Sequence, residues 1–240
     1  DYIEDVMFIK NEILLKLTNK IKLPEFKKFL REAGAVVVDV NEAASVFRLI
    51  LPEGTDVLKF IKEINSHPGI EKAEPNYVYS VPPPNADYKA SDYSRVSGET
   101  LFQKGVAPVA VIDTGLALNS GIDEYILSSF DSVNPGAAIS DSLGHGTQMA
   151  MVASGVVRPA GVSDELKNTN PVIPIRAFDE NGYLSNFDLM KSIDFAVENG
   201  ARVLSLRWGT EKESGFLKYN LDHASAKGII IVASAGNEPT

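Results

Sequence analysis

Pro108-Val109-Ala110-Val111-Ile112-Asp113-Thr114-Gly115 is the stretch whose reading decides the fold. Its apolar run shows no alternation, so both faces of the strand it forms are covered, as in a parallel sheet flanked by helices. A carboxylate that ends such a strand stands at its carboxyl edge, where ligands and catalytic groups collect in open α/β sheets. Downstream the pattern repeats. Gln148 to Gly155 reads as a small-residue helix, Val172 to Ala177 as a strand, and Asn186 to Asn199 as a helix closed by Gly200. Ala201 to Leu206 is a strand, Tyr219 to Lys227 a helix closed by Gly228, and Ile229 to Ala233 enters a last strand.

Upstream the pattern is different. Ile13 to Leu17 reads as a strand, Leu23-Pro24 opens a helix ending at Gly34, and Val36 to Val40 and Val46 to Leu51 form an antiparallel pair. A helix over about Asp56 to Ser66 and an extended segment, Ile70 to Tyr79, complete a β-α-β-β-α-β order, the ferredoxin-like arrangement. Val81-Pro82-Pro83-Pro84-Asn85 then changes the composition, and Ala86 to Thr100 has no sustained period. The expected organisation is a small α+β domain over 1–81, a linker over 82–99 and a partial parallel α/β domain, with helices on both faces, over 100–240.

The composition is that of a globular chain: 44% hydrophobic, with a formal net charge of -9 and interspersed charges. No basic stripe suits nucleic acid or an anionic membrane, and no apolar run approaches spanning length. The absence of cysteine excludes a disulfide framework, thiol catalysis and thiolate metal sites.

Among the three histidines, His145 has the most telling setting, Ser142-Leu143-Gly144-His145-Gly146-Thr147-Gln148-Met149-Ala150. An imidazole at the mouth of a helix acts as a general base when a carboxylate fixes its tautomer and a nucleophile lies on its other side. Asp113 supplies a carboxylate 145 − 113 = 32 positions earlier, and Asn237 ends another strand, so the three converge on one edge of the sheet. An asparagine amide there donates to a developing oxyanion. The bland reading of a lone histidine, a packed structural residue, suits His67 in a turn and His223 on a helix surface. Asp-Thr-Gly also marks aspartic proteases and the phosphate loop of actin-like ATPases, but neither accounts for the histidine and asparagine segments.

Four segments in this order resemble the subtilisin-like serine proteases. Val109 to Gly115 is similar to that family's aspartate motif, and Gly144-His145-Gly146-Thr147 to its histidine motif. Val203 to Gly209 resembles its substrate-pairing edge strand, and Val232 to Asn237 the strand that lines the specificity pocket and ends in the oxyanion asparagine. Residues 1–81 resemble its chaperoning, inhibitory propeptide, with Ala73 to Tyr77 in the closing strand. The resemblance implies a secreted or cell-envelope endopeptidase acting on protein or peptide substrates. Asp113 and His145 would be catalytic, Asn237 would serve the oxyanion, and Leu206, Arg207, Trp208, Gly209, Ser234, Ala235 and Gly236 would bind substrate backbone. Arg207 stands where the family usually has a small serine, and so would favour acidic substrate side chains, lie against the propeptide or pair with a nearby carboxylate on the surface.

The family's Gly-Thr-Ser nucleophile motif does not occur in the sequence, and Ser154, Ser205 and Ser234 lie in the wrong segments to replace it. Asp113 and His145 alone have nothing to activate, so these 240 residues by themselves are expected to be inactive. Three readings follow: part of a longer chain, a protease cut into associating pieces with the serine on a C-terminal fragment, or a pseudoprotease acting as a binding or inhibitory module. A sheet that breaks off in mid-fold favours the first two. The reaction requires no cofactor. Calcium is common in the family, yet Asp123, Glu124, Asp131 and Asp141 are too scattered to form an obvious loop for it.

Overall fold

β1 (Phe8–Leu17) runs through the centre of the N-terminal unit of the computed structural model, which describes residues 7–81, 93–95, 106–159, 169–206 and 214–234. Around β1 come α1 (Leu23–Ala33), β2 (Val36–Asn41), β3 (Val46–Ile50), α2 (Val57–Ile64) and β4 (Ile70–Ser80), in the expected β-α-β-β-α-β order. β3 and β4 flank β1 antiparallel, with Leu15 opposite both Phe47 and Ala73. Alternation along β1 serves two cores. Ile13 and Leu15 pack with Phe26, Val57, Ile61 and Ile64 from the two helices, whereas Leu14 joins Val46, Phe187, Met190 and Phe216. The last three belong to the following unit, so the N-terminal sheet is an intermediate layer between its own helices and two later ones.

The second unit contains β5 (Tyr93–Arg95), β6 (Val109–Asp113), β7 (Phe130–Asp131), α3 (His145–Ser154), β8 (Val157–Pro159), β9 (Val172–Arg176), β10 (Tyr183–Ser185), α4 (Asn186–Glu198), β11 (Val203–Leu206), α5 (Gly215–Ala226) and β12 (Ile230–Ala233). β12, β11, β6, β9 and β7 form a parallel sheet in that order. Ile173 and Ile175 face a core shared with Leu189, Ile193 and Leu217 of α4 and α5, while Val172 faces Ala150 of α3. Helices therefore cover both faces, and the continuous apolar runs follow from that double burial.

Several elements depart from the sequence reading. α3 begins at His145 and α5 at Gly215, earlier than the expected 148 and 219. Their first turns hold glycine and polar residues with little intrinsic preference for helix, and distant side chains complete them. Within the stretch read as a linker, Tyr93–Arg95 pairs antiparallel with β8. β10 lies beside β4, Leu184 opposite Tyr79, and extends the N-terminal sheet to five strands. A three-residue strand whose partner lies a hundred residues upstream leaves no periodic signal in the sequence.

Candidate active site

Asp113 ends β6 and His145 opens α3, and the two meet: His145 Nδ1 lies 2.7 Å from Asp113 Oδ1. The carboxylate is 2% exposed and the imidazole side chain 22%. A buried carboxylate on Nδ1 selects the tautomer with its proton there and leaves Nε2 as the basic nitrogen. The Thr114 N–H also donates to Asp113 Oδ1 at 2.7 Å, and the Asp113 carbonyl accepts from Ala177 N–H at 2.8 Å. Side chain and backbone of the aspartate are thus both anchored.

The close approach of the two loops depends on glycine. Gly115 has φ +124°, and a Cβ there would overlap the Ser140 carbonyl oxygen. A Cβ on Gly146 would stand 2.5 Å from the Gly115 oxygen. No side chain fits at either position without separating the histidine loop from the aspartate loop.

Asp141 is the residue whose part the sequence reading missed. Its Oδ1 accepts from Thr114 Oγ1 (2.8 Å), Gly144 N–H (2.8 Å) and Leu143 N–H (3.2 Å), and its Oδ2 from Thr147 N–H (2.8 Å) and Thr147 Oγ1 (2.6 Å). Burial pushes this carboxyl up, but the bonds from Thr147, Thr114 and Gly144 outweigh it and hold the group below its ordinary value. A signal was present: an aspartate three residues before a glycine N-cap and six before a threonine is placed to serve a turn and the helix that follows.

The N-terminal unit reaches this region along β4. Glu74 Oε1 accepts from Gly215 N–H at 2.8 Å and its Oε2 from Ser214 Oγ at 2.9 Å, closing the start of α5. Asn76 Oδ1 accepts from Phe187 N–H at 3.1 Å at the start of α4, while its amide donates to Glu12, itself paired with Arg48. Tyr79 is buried in the core of the second unit, its hydroxyl 3.4 Å from Asn186 Oδ1. Burial, with Glu74 nearby, raises its phenol well above the ordinary value and keeps it protonated. Val81 N–H donates to the Gly182 carbonyl at 3.0 Å, and Val81 and Leu143 both stand within 4 Å of the point a Gly182 Cβ would occupy. Val81, the residue after β4, thus lies close to Leu143, two residues before His145 in sequence.

Of the other candidates, Leu206 ends β11 with Ile112 on one side and Ala233 on the other, and its carbonyl accepts from Ser234 N–H. A residue engaged on both sides has no free edge for an added substrate strand. Ser234 is exposed at the end of β12. Arg207, Trp208, Gly209, Ala235, Gly236 and Asn237 lie outside the described residues. His67 accepts from Gly69 N–H within its turn, and His223 is exposed on α5.

Among the described residues, no three His, Asp or Glu side chains gather to hold a metal. Asp131 is paired with Arg176, and Asp141 is occupied by five donors. No helix among the described residues is long and apolar enough to cross a membrane.

Residues 104–240 match the Subtilase family of peptidases and residues 3–76 the fervidolysin N-terminal prodomain. A thermophilic serine proteinase of Bacillus sp. (strain AK1) is 28% identical across 96% of this chain and 59% of its own length. Thermitase of Thermoactinomyces vulgaris is 27% identical across 55% of this chain and 47% of its own. The crystal structure of fervidolysin from Fervidobacterium pennivorans, a keratinolytic enzyme related to subtilisin, superposes on all of this chain and 41% of its own, with a TM-score of 0.69 at 20% identity. The chain thus spans between 41% and 59% of the length of these relatives.

Proposed function

Because the chain belongs to the subtilase family and carries a fervidolysin-type prodomain, we propose that it forms the N-terminal part of a secreted or cell-envelope serine endopeptidase zymogen. The observation that carries the reading is the 2.7 Å contact between the buried Asp113 and the partly open His145 ring. In this mechanism Asp113 holds the tautomer and stabilises the imidazolium, and His145 Nε2 takes the proton of a serine hydroxyl supplied from outside these 240 residues. The hydroxyl oxygen attacks the scissile carbonyl, and Asn237 donates to the oxyanion. His145 then returns the proton to the leaving amine, and a water deprotonated by the same imidazole attacks the acyl-serine, releasing the second product and restoring the hydroxyl. The hydrolysis draws on no cofactor.

Substrate is an extended protein or peptide chain, bound by Arg207 to Gly209 and by Ser234 to Gly236 through backbone hydrogen bonds. The prodomain acts in cis as chaperone and inhibitor. What supports this role is its grip on two helix starts through Glu74 and Asn76, together with the β4–β10 ladder that leads Val81 toward Leu143. The 240 residues alone have no activity, the serine being contributed by a longer chain or an associated fragment.

A fluorophosphonate probe on the intact gene product tests the proposal. Serine labelling that is lost in His145→Ala is expected. Absence of labelling in the product once its prodomain has been released would instead assign the chain to a non-catalytic binding or inhibitory module.

A further inference from the structure

Gly144 offers no side chain at the N-cap of α3, yet the first turn of that helix has to hold His145 against Asp113. The amides of a first helical turn have no partners within the helix. Here they are bonded from outside. Thr114 Oγ1 accepts from Gly146 N–H at 2.7 Å, and its hydroxyl donates to Asp141 Oδ1 at 2.8 Å. Asp141 Oδ2 accepts from Thr147 N–H and from the Thr147 hydroxyl, and that hydroxyl oxygen accepts from Ala117 N–H at 2.8 Å. The loop after β6 and the first turn of α3 are therefore joined twice, through Thr114 and Thr147, and Asp141 is the acceptor common to both joints.

We infer that Asp141 is a positioning residue for the catalytic base: its carboxylate sets the separation of Asp113 and His145 by clamping Thr114, which follows the aspartate, and Thr147, two residues after the histidine. The inference rests on the proposed role of the Asp113–His145 pair and assigns Asp141 no contact with substrate. Three features support it beyond the count of bonds. Both carboxylate oxygens are used, one for each joint through a hydroxyl, which a neutral amide cannot reproduce, because in either orientation its nitrogen would face a backbone N–H donor, that of Thr147 or that of Gly144. The group is held below its ordinary value by those donors, so it stays charged and its bonds are the stronger charge-assisted kind. A negative charge at this end of α3 also suits the helix dipole. With Gly115 and Gly146 in van der Waals apposition, a slackened clamp has no bulky side chains to limit the drift of the two loops.

The test reads the imidazole rather than hydrolysis. Proton and nitrogen magnetic resonance on the 240-residue chain reports the Nδ1 proton shared with Asp113, its tautomer and its exchange with water. The parent is expected to show one protected Nδ1 proton. Asp141→Ala is expected to lose that resonance, or to exchange it roughly tenfold faster or more, while methyl signals of Leu14, Val46 and Met190 at the far interface stay in place. Asp141→Asn is expected to fall between the two, keeping one joint. A folded Asp141→Ala whose Nδ1 proton keeps its position and protection overturns the inference. Should Asp141→Ala not fold, Asp141→Asn and Thr147→Val decide by the same readouts, and a parent-like Nδ1 signal in both overturns it. A failed serine-probe experiment bears on the protease reading alone and leaves this measurement intact.

Discussion

Glu74 of the N-terminal unit caps α5 of the second: one carboxylate oxygen takes the Gly215 N–H and the other the Ser214 hydroxyl, which itself caps Leu217. Two polypeptide units that fold side by side thus share a helix terminus. Replacing Glu74 with Gln leaves one acceptor oxygen for the Gly215 and Ser214 donors and removes the ion pair with Lys72 (2.8 Å). A loss of about 0.5–2 kcal/mol in the stability of the chain is expected, the range for a lost cap. Urea denaturation checks the magnitude, and amide exchange should accelerate first at Gly215 to Leu217.

Tyr79 crosses from the strand of one unit into the core of the other. Tyr79→Ala is expected to cost about 3–5 kcal/mol, as for other buried aromatic truncations. Tyr79→Phe should cost only about 0.5–1.5 kcal/mol, the worth of its hydroxyl bonding. Comparing the two by denaturant titration separates packing from the polar contact with Asn186. A phenylalanine variant as unstable as the alanine variant contradicts this division.

Gly115→Ala sets a methyl group into the Ser140 carbonyl at a φ that side chains rarely adopt. It is expected to destabilise the chain by about 1–3 kcal/mol and to separate His145 from Asp113. Gly54→Ala, at a positive φ with open space around it, should cost less and leave the Nδ1 resonance of His145 unchanged.

Two carboxylates predict opposite pH dependences. Asp194, whose Oδ2 accepts from the Asn41 amide across the interface, is held above its ordinary value by burial, partly offset by that bond. Its raised folded-state value means that its favourable contribution is complete below the unfolded value of about 3.9 and is lost as pH rises through the folded one. Asp194→Asn, which keeps an acceptor for Asn41, should therefore melt higher than the parent at pH 7, with the difference vanishing near pH 3. Asp141 is held below its ordinary value, so its contribution is present above the unfolded value and disappears as pH falls through the folded one. Asp141→Asn should melt lower than the parent at pH 7, again converging in acid. Melting curves at both pH values check the two signs.

What the sequence determined by itself was what local periodicity and chain order encode. The unbroken run Val109 to Ile112 announced a doubly covered parallel strand, and Asp113 at its end was already a candidate. The apolar run Ile13 to Leu17, the glycine stop at Gly34 and the apolar stripe of α2 made the N-terminal unit legible. His145 was legible because glycines and a threonine surround it, a setting that a packed structural histidine does not need. Only the tertiary structure decided the rest, because it depends on groups brought together from far along the chain. The 2.7 Å approach of Asp113 to His145 requires the glycine apposition of two loops. β10 exists as a strand because β4 lies beside it, and α3 and α5 start where they do because Asp141, Thr114 and Glu74 satisfy amides that their own first turns leave open. Hydrogen bonds across such separations impose no period on the sequence, so they stay hidden until the chain has folded.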